Sequence, residues 1–280
     1  MKKIIVMLLV LAMVLSLAAC GKKEEPSGGD NTAAPTTAGS TTETSTPAPT
    51  ATDEPAKPDT TADDPSKKGE GVMTYAEYAA AALDTQVVVE TYVQAKQSWW
   101  NNKATVYTQD ADGAYFLYSM ACSQEDFDKL VPGTKIKVTG YKSEWSGEVE
   151  ITDATFEIEE GSFIAAPVDV TSALGTDALI DSQNMFVAFK NLKIEAQADG
   201  SAYLYSWDGS GSHDSNSDLY FNVSVGGNTY SFTVESYLCD NTTDVYKAVE
   251  NLKVGDIIDA EGFLYWYNGV NPHITKITNK

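Results

Sequence analysis

The sequence predicts an all-β protein with short helices: two small five-stranded barrels in tandem, carried behind a disordered stalk. Three observations predict it. Every aromatic residue of the 280-residue chain falls in residues 71–280. Those residues break into short alternating or β-branched runs bounded by Gly, Asn and Asp, the pattern of strands and turns. The stretch Leu130-Val131-Pro132-Gly133-Thr134-Lys135-Ile136-Lys137-Val138-Thr139-Gly140 recurs 122 residues later as Leu252-Lys253-Val254-Gly255-Asp256-Ile257-Ile258-Asp259-Ala260-Glu261-Gly262, so one unit is written twice.

The chain opens with Lys2 and Lys3, then an apolar run from Ile4 to Leu17. That run is too short for a stable membrane span and suits a signal peptide. It ends in Leu17-Ala18-Ala19-Cys20-Gly21, which resembles the lipobox of bacterial lipoproteins. The resemblance implies cleavage after residue 19, a diacylglycerol thioether on Cys20, and anchoring to the extracellular face of the cell membrane, where two or three acyl chains hold stably.

Residues 20–70 are rich in Thr, Pro, Ser and Ala and contain no aromatic. Such a segment buries too little apolar surface to offset the entropy of ordering and is expected to be a disordered tether. As a coil its ends lie ~40 Å apart, and stretched it reaches ~170 Å. That reach suits a Gram-positive wall. Domain 1 is expected over 71–162 and domain 2 over 163–280.

Each copy reads as strands, a helix, then two strands. In copy one the first strands run over 87–93, 104–108 and 114–118, with Asp110-Ala111-Asp112-Gly113 as the turn before the third. Ser123 opens a short helix through Leu130. Gly133 caps it, Ile136 and Val138 alternate in the next strand, and Trp145-Ser146-Gly147 turns a hairpin. In copy two the strands run over 185–189, 202–205, 219–223 and 230–234. Thr242 and Thr243 open a helix with Val245, Ala248, Val249 and Leu252 on one face. Tyr267-Asn268-Gly269 turns the last hairpin. A long polar insertion over 208–218 sets this copy apart.

This order, with its paired glycines, resembles the OB-fold, a five-stranded Greek-key barrel with its helix between strands three and four. It is similar to the OB-fold domains of Gram-positive surface lipoproteins and of some secreted nucleases, over about 75–160 and 180–280. A tandem of β-sandwich, immunoglobulin-like domains is the competing fold.

Chemistry is sparse. His213 and His273 are the only histidines and match no triad or zinc spacing. No Gly-rich phosphate loop precedes a helix. Thr108-Asp110-Asp112 and Asp214-Asn216-Asp218 begin like calcium loops but lack the later bidentate Glu. The nucleases of that resemblance keep catalysis in a separate domain. No catalytic set, no metal and no cofactor is therefore expected. Cys122 and Cys239 sit at equivalent places before the two helices, which favours two separate buried thiols.

The expected function is non-catalytic binding. Trp99 and Trp100 fall in the loop between strands one and two of copy one; Tyr265, Trp266 and Tyr267 fall in the last hairpin of copy two, matched by Trp145. These loops flank the OB binding face, where aromatic rings stack on ligands. The formal charge is −21, and all 19 basic residues are Lys. Without Arg, phosphate recognition is disfavoured. The expected ligand is accordingly a cell-surface saccharide or protein, with single-stranded DNA or RNA as the alternative.

Overall fold

The computed structural model describes residues 64–280. In chain order these form α1 (Tyr75–Ala80), β1 (Gln86–Lys96), β2 (Lys103–Gln109), β3 (Ala114–Ala121), α2 (Gln124–Lys129), β4 (Thr134–Trp145) and β5 (Glu148–Ser162). There follow β6 (Val168–Asp169), two short 3-10 turns, β7 (Phe186–Glu195), β8 (Tyr203–Tyr205), β9 (Leu219–Val225), β10 (Asn228–Val234), α3 (Asp244–Glu250), β11 (Ile257–Phe263) and β12 (His273–Asn279). The signal segment and Cys20 lie outside the described residues. Among the described residues no helix is long and apolar enough to cross a membrane.

Two closed barrels result. The first runs β1-β2-β3-β5-β4 and closes through β1 and β4. The second closes through β7-β9-β10-β12-β11, because β7 pairs with both β9 and β11. Strand for strand the order is the same. In each the third and fifth strands pair in parallel, Phe116↔Glu150 in one and Thr233↔His273 in the other. This is the tandem OB-fold arrangement. It displaces the β-sandwich alternative, whose two facing sheets would not close. β6 and β8 are additions to the second barrel.

The repeated glycines have matching jobs. Gly133 and Gly255 follow the helices at φ +94° and +96°, a conformation that favours glycine. Gly140 and Gly262 sit at register shifts where β4 and β11 bend against β5 and β12. A Cβ at Gly140 would meet Ile151 and the Thr152 carbonyl within 3 Å, and one at Gly262 would meet the His273 carbonyl. Each barrel can close tightly there only with no side chain.

The helices are short and capped. Ser123 Oγ accepts from Asp126 N, and Thr243 Oγ1 from Tyr246 N, which satisfies free N–H groups of the first turn. α3 buries Val245, Tyr246 and Val249 against barrel 2. α1 ends on a side chain from β4: Lys142 Nζ donates to the carbonyls of Tyr78, Ala79 and Ala81 at 2.8–3.1 Å. Lys142 is buried, and these carbonyls replace its hydration. The Asp110 turn is held by Lys68 Nζ at 2.5 Å and by the amides of Asp112 and Gly113, so the carboxylate of that first calcium-like run is engaged by an ammonium.

The barrels meet along a packed seam. On the outer β2–β3 face of barrel 1, Tyr107 stacks on Phe263 of barrel 2 and Phe116 meets Tyr265 edge-on. Tyr107 Oη and His273 Nδ1 are 2.7 Å apart. Burial keeps His273 neutral by pushing its pKa down to about 3. Gln183 and Asn184 from the connecting segment donate to the carbonyls of Gly147 and Val149. Trp266 N and Asn268 N donate across to Glu148 and to the Ser146 carbonyl.

Candidate nucleic-acid interface

The seam decides which binding face is open. In an OB barrel ligands lie on strands two and three, between the loop joining strands one and two and the loop joining strands four and five. On barrel 1 most of that face is covered, with Tyr107 and Phe116 buried under barrel 2. On barrel 2 it is open.

The open face holds a cleft of about 860 Å³, lined among others by Gln197, Trp207, Tyr220, Tyr265, Tyr267 and Asn271. Each wall comes from the element the topology requires. Tyr220 lies on β9. Tyr265, Tyr267 and Asn271 belong to the β11–β12 loop. Trp207 belongs to the long β7–β9 loop, which β8 ties down by pairing Leu204 with Tyr220. That loop is braced from behind. His213 Nδ1 lies 2.7 Å from Glu250 Oε1, to which Tyr205 Oη donates at 2.6 Å. Asp218 Oδ1 accepts from the amide and hydroxyl of Ser236, and Asn241 N donates to Asn216 Oδ1. The insertion with the second calcium-like run is thus a fastened flap in which the Asn216 and Asp218 side-chain oxygens accept protein donors.

The rings are presented rather than buried. Trp207 is 77% exposed and Tyr267 53%. Tyr265 is half-buried, stacked on His273 at 4.3 Å between centroids. Burial pushes the Tyr220 phenol up to about 12 and Tyr265 higher still, so both are neutral O–H donors. No charged side chain is among the lining residues. The cleft can offer flat apolar faces with amide and hydroxyl groups at their edges, and it offers no fixed positive charge.

The six aromatics expected as ligand contacts divide. Tyr265 and Tyr267 line this cleft. Trp100, 77% exposed, lines a smaller cleft at the barrel junction. Trp145, 60% exposed, stands on its hairpin and lines neither. Trp99 and Trp266 are half-buried and line neither cleft. Trp99 folds back to donate Nε1 to the Cys122 carbonyl at 3.0 Å. Trp266 packs on the barrel 2 core, half-buried. Sequence reasoning missed Trp207 and Tyr220. A Trp at the edge of an insertion between strands one and two was the available signal. Cys122 and Cys239 are free and buried; burial pushes their thiols up to about 11 and 12.

No family model matches the chain, and no curated protein matches it. Among solved structures, it is similar to a murine DNA-binding protein bound with double-stranded DNA, at 12% identity over 69% of this chain and 96% of that one, with a TM-score of 0.35. It is also similar to the Ifi202 HINa domain in complex with 20-base-pair double-stranded DNA, at 12% identity over 71% and 97%, TM-score 0.33. A third is a deletion mutant of the single-stranded DNA-binding protein from Thermus aquaticus, at 13% identity over 70% and 93%, TM-score 0.22. Likeness at this identity concerns the fold.

The expected saccharide or protein ligand is not carried forward: the three solved structures named above are described as DNA-bound or DNA-binding proteins. The physical ground for it has also thinned. Of the aromatics offered to a saccharide, Trp99 and Trp266 are half-buried. The acidity and the lack of Arg that disfavour nucleic acid bear on phosphate contacts and not on base stacking.

Proposed function

We propose that the chain is a non-catalytic binding protein for single-stranded nucleic acid, gripping bases rather than phosphates in the cleft on barrel 2. One observation carries the reading: rings from the strand face and both flanking loops, Trp207 and Tyr267 exposed and Tyr220 and Tyr265 half-buried, converge on one neutral cleft, at the place where OB barrels take oligonucleotides. Stacking is sequence-tolerant because every base has a π-face, and it contributes about 1–3 kcal/mol per base. The bases of a duplex are stacked on each other and cannot enter, so single strands are selected. With no cation lining the cleft, the salt dependence is shallow and the affinity modest.

The test is fluorescence anisotropy with a labelled twelve-residue oligothymidylate and the matching duplex. The single strand binds and the duplex does not. The double variant Trp207→Ala with Tyr267→Ala loses at least ten-fold in affinity. Equal binding of both DNA forms, or an unchanged double variant, refutes the reading.

The export signal belongs to the same proposal. Lys2, Lys3, the apolar run and the lipobox-like end at Cys20 support a lipid-anchored protein displayed outside a Gram-positive cell membrane. Mass spectrometry of the mature N-terminus checks it: a diacylglyceryl Cys20 is expected, and an intact Met1 in membrane-associated protein would overturn it.

A further inference from the structure

The junction between the barrels carries a second cleft, of about 300 Å³. Its walls include Trp100, Lys103 and Tyr118 from barrel 1 and Tyr237 from the β10–α3 connection of barrel 2. The backbone joins the two sides, Ser98 N donating to the Tyr237 carbonyl at 2.7 Å. Trp100, Tyr118 and Tyr237 are 77%, 49% and 67% exposed. Three open rings around one hollow are an unusual cluster of apolar surface.

Lys103 distinguishes this cleft from the larger one. It is exposed at the start of β2, and its ammonium makes no ion pair among the described residues. Acidic residues outnumber basic ones by 40 to 19, so an unpaired ammonium set among rings is conspicuous. The two clefts are also near each other. Tyr265, in the wall of the large cleft, is 5.3 Å from Phe116, which is 6.4 Å from Tyr118 in the wall of the small one. The rings of Tyr265 and Tyr118 are therefore within about 12 Å, roughly three rises of a stacked strand at ~3.4 Å each.

We infer that the junction cleft is a second subsite for the same strand, with Lys103 on a backbone phosphate and Trp100 and Tyr118 against the adjacent base. The inference rests on the reading of the large cleft. It adds that the strand crosses from barrel 2 onto the one uncovered end of the barrel 1 face. The site needs both barrels, since Tyr237 closes it from the far side.

The test compares oligothymidylates of three and ten residues on the full chain and on Lys103→Gln and Tyr118→Ser. Both substitutions lie at exposed positions. In the wild type the longer strand binds more tightly. In either variant the ratio of long-strand to short-strand affinity falls, by about ten-fold in each. Lys103→Gln also flattens the salt slope of the long strand by about 0.7, the share of one phosphate on a single strand. A wild type that binds and whose length ratio and salt slope both survive the substitutions overturns the subsite alone. A wild type that binds neither strand overturns the reading of the large cleft, and this inference with it.

Discussion

Replacing Glu148 with Gln should make the fold more stable at pH 8 and leave it nearly unchanged at pH 5. Glu148 begins β5 and lies in the seam with no exposed surface. Its Oε2 accepts from Trp266 N at 2.9 Å and from Gln183 Nε2 at 3.3 Å. Among the described residues its Oε1 has no hydrogen-bond partner, nor has Asn184 Oδ1, and the Asn184 side chain lies within reach of the carboxyl. Only neutral donors and another acid, Glu150, surround it. Burial, reinforced by Glu150, pushes its pKa up from 4.5 to about 8. A proton on Glu148 gives two orphaned acceptors a shared donor.

The sign follows from where each state ionises. Below pH 4.5 both folded and unfolded chains carry the proton and nothing is lost. Between pH 4.5 and 8 the unfolded chain releases it while the folded chain keeps it, so stability falls by about 1.4 kcal/mol per pH unit. The loss from this one group is about 0.8 kcal/mol at pH 5 and about 4 kcal/mol at pH 8. Glu150 and Glu235, pushed up by burial to about 7, add losses of the same sign over a narrower range. Gln keeps the shape and an acceptor, adds a donor and does not titrate. Urea unfolding followed by tryptophan fluorescence at pH 5, 6, 7 and 8 measures it. The curves of the wild type and of the Glu148→Gln variant should converge toward pH 5 and separate by several kcal/mol at pH 8. Parallel curves would refute the claim that this carboxyl is held neutral in the seam.

Three further outcomes are expected. Lys142→Met keeps the apolar stem but leaves the carbonyls of Tyr78, Ala79 and Ala81 without their donor; urea unfolding should show a loss of about 2–4 kcal/mol. Tyr107→Phe removes the hydroxyl beside His273 Nδ1 and should cost about 1–2 kcal/mol by the same assay. Gly255→Ala places a Cβ at φ +96° in open space, and the strain should lower stability by about 1 kcal/mol; Gly133→Ala should cost at least as much, since its Cβ also meets Ser162 Oγ at 2.8 Å.

The duplication was legible because it rests on local rules. Gly133 and Gly255 needed a left-handed backbone, Ser146-Gly147 a tight turn at positive φ, and Thr243 a helix start. Each is a short-range demand that one residue type meets, so equal spacing meant equal structure. The binding face was harder to read. Along β2, from Ala104 to Gln109, every residue is buried, although alternation marks one side as outward. That side is covered by Phe263 and its neighbours, and nothing within β2 encodes a partner some 150 residues away. Trp207 was only partly legible, for a related reason. It flanks a Gly- and Ser-rich insertion, which in isolation is a solvated loop. Its place over the cleft comes from β8 pairing on β9 and from Glu250 bracing the loop from behind.

Photochemical crosslinking of a 5-bromouracil oligonucleotide to the full chain, mapped by peptide mass spectrometry, tests the central claim most directly. Adducts should concentrate on Trp207, Tyr265 and Tyr267, with Trp100 and Tyr118 joining as the strand lengthens. Adducts confined to Trp145, or spread without preference over the exposed aromatics, would contradict a base-gripping cleft on barrel 2.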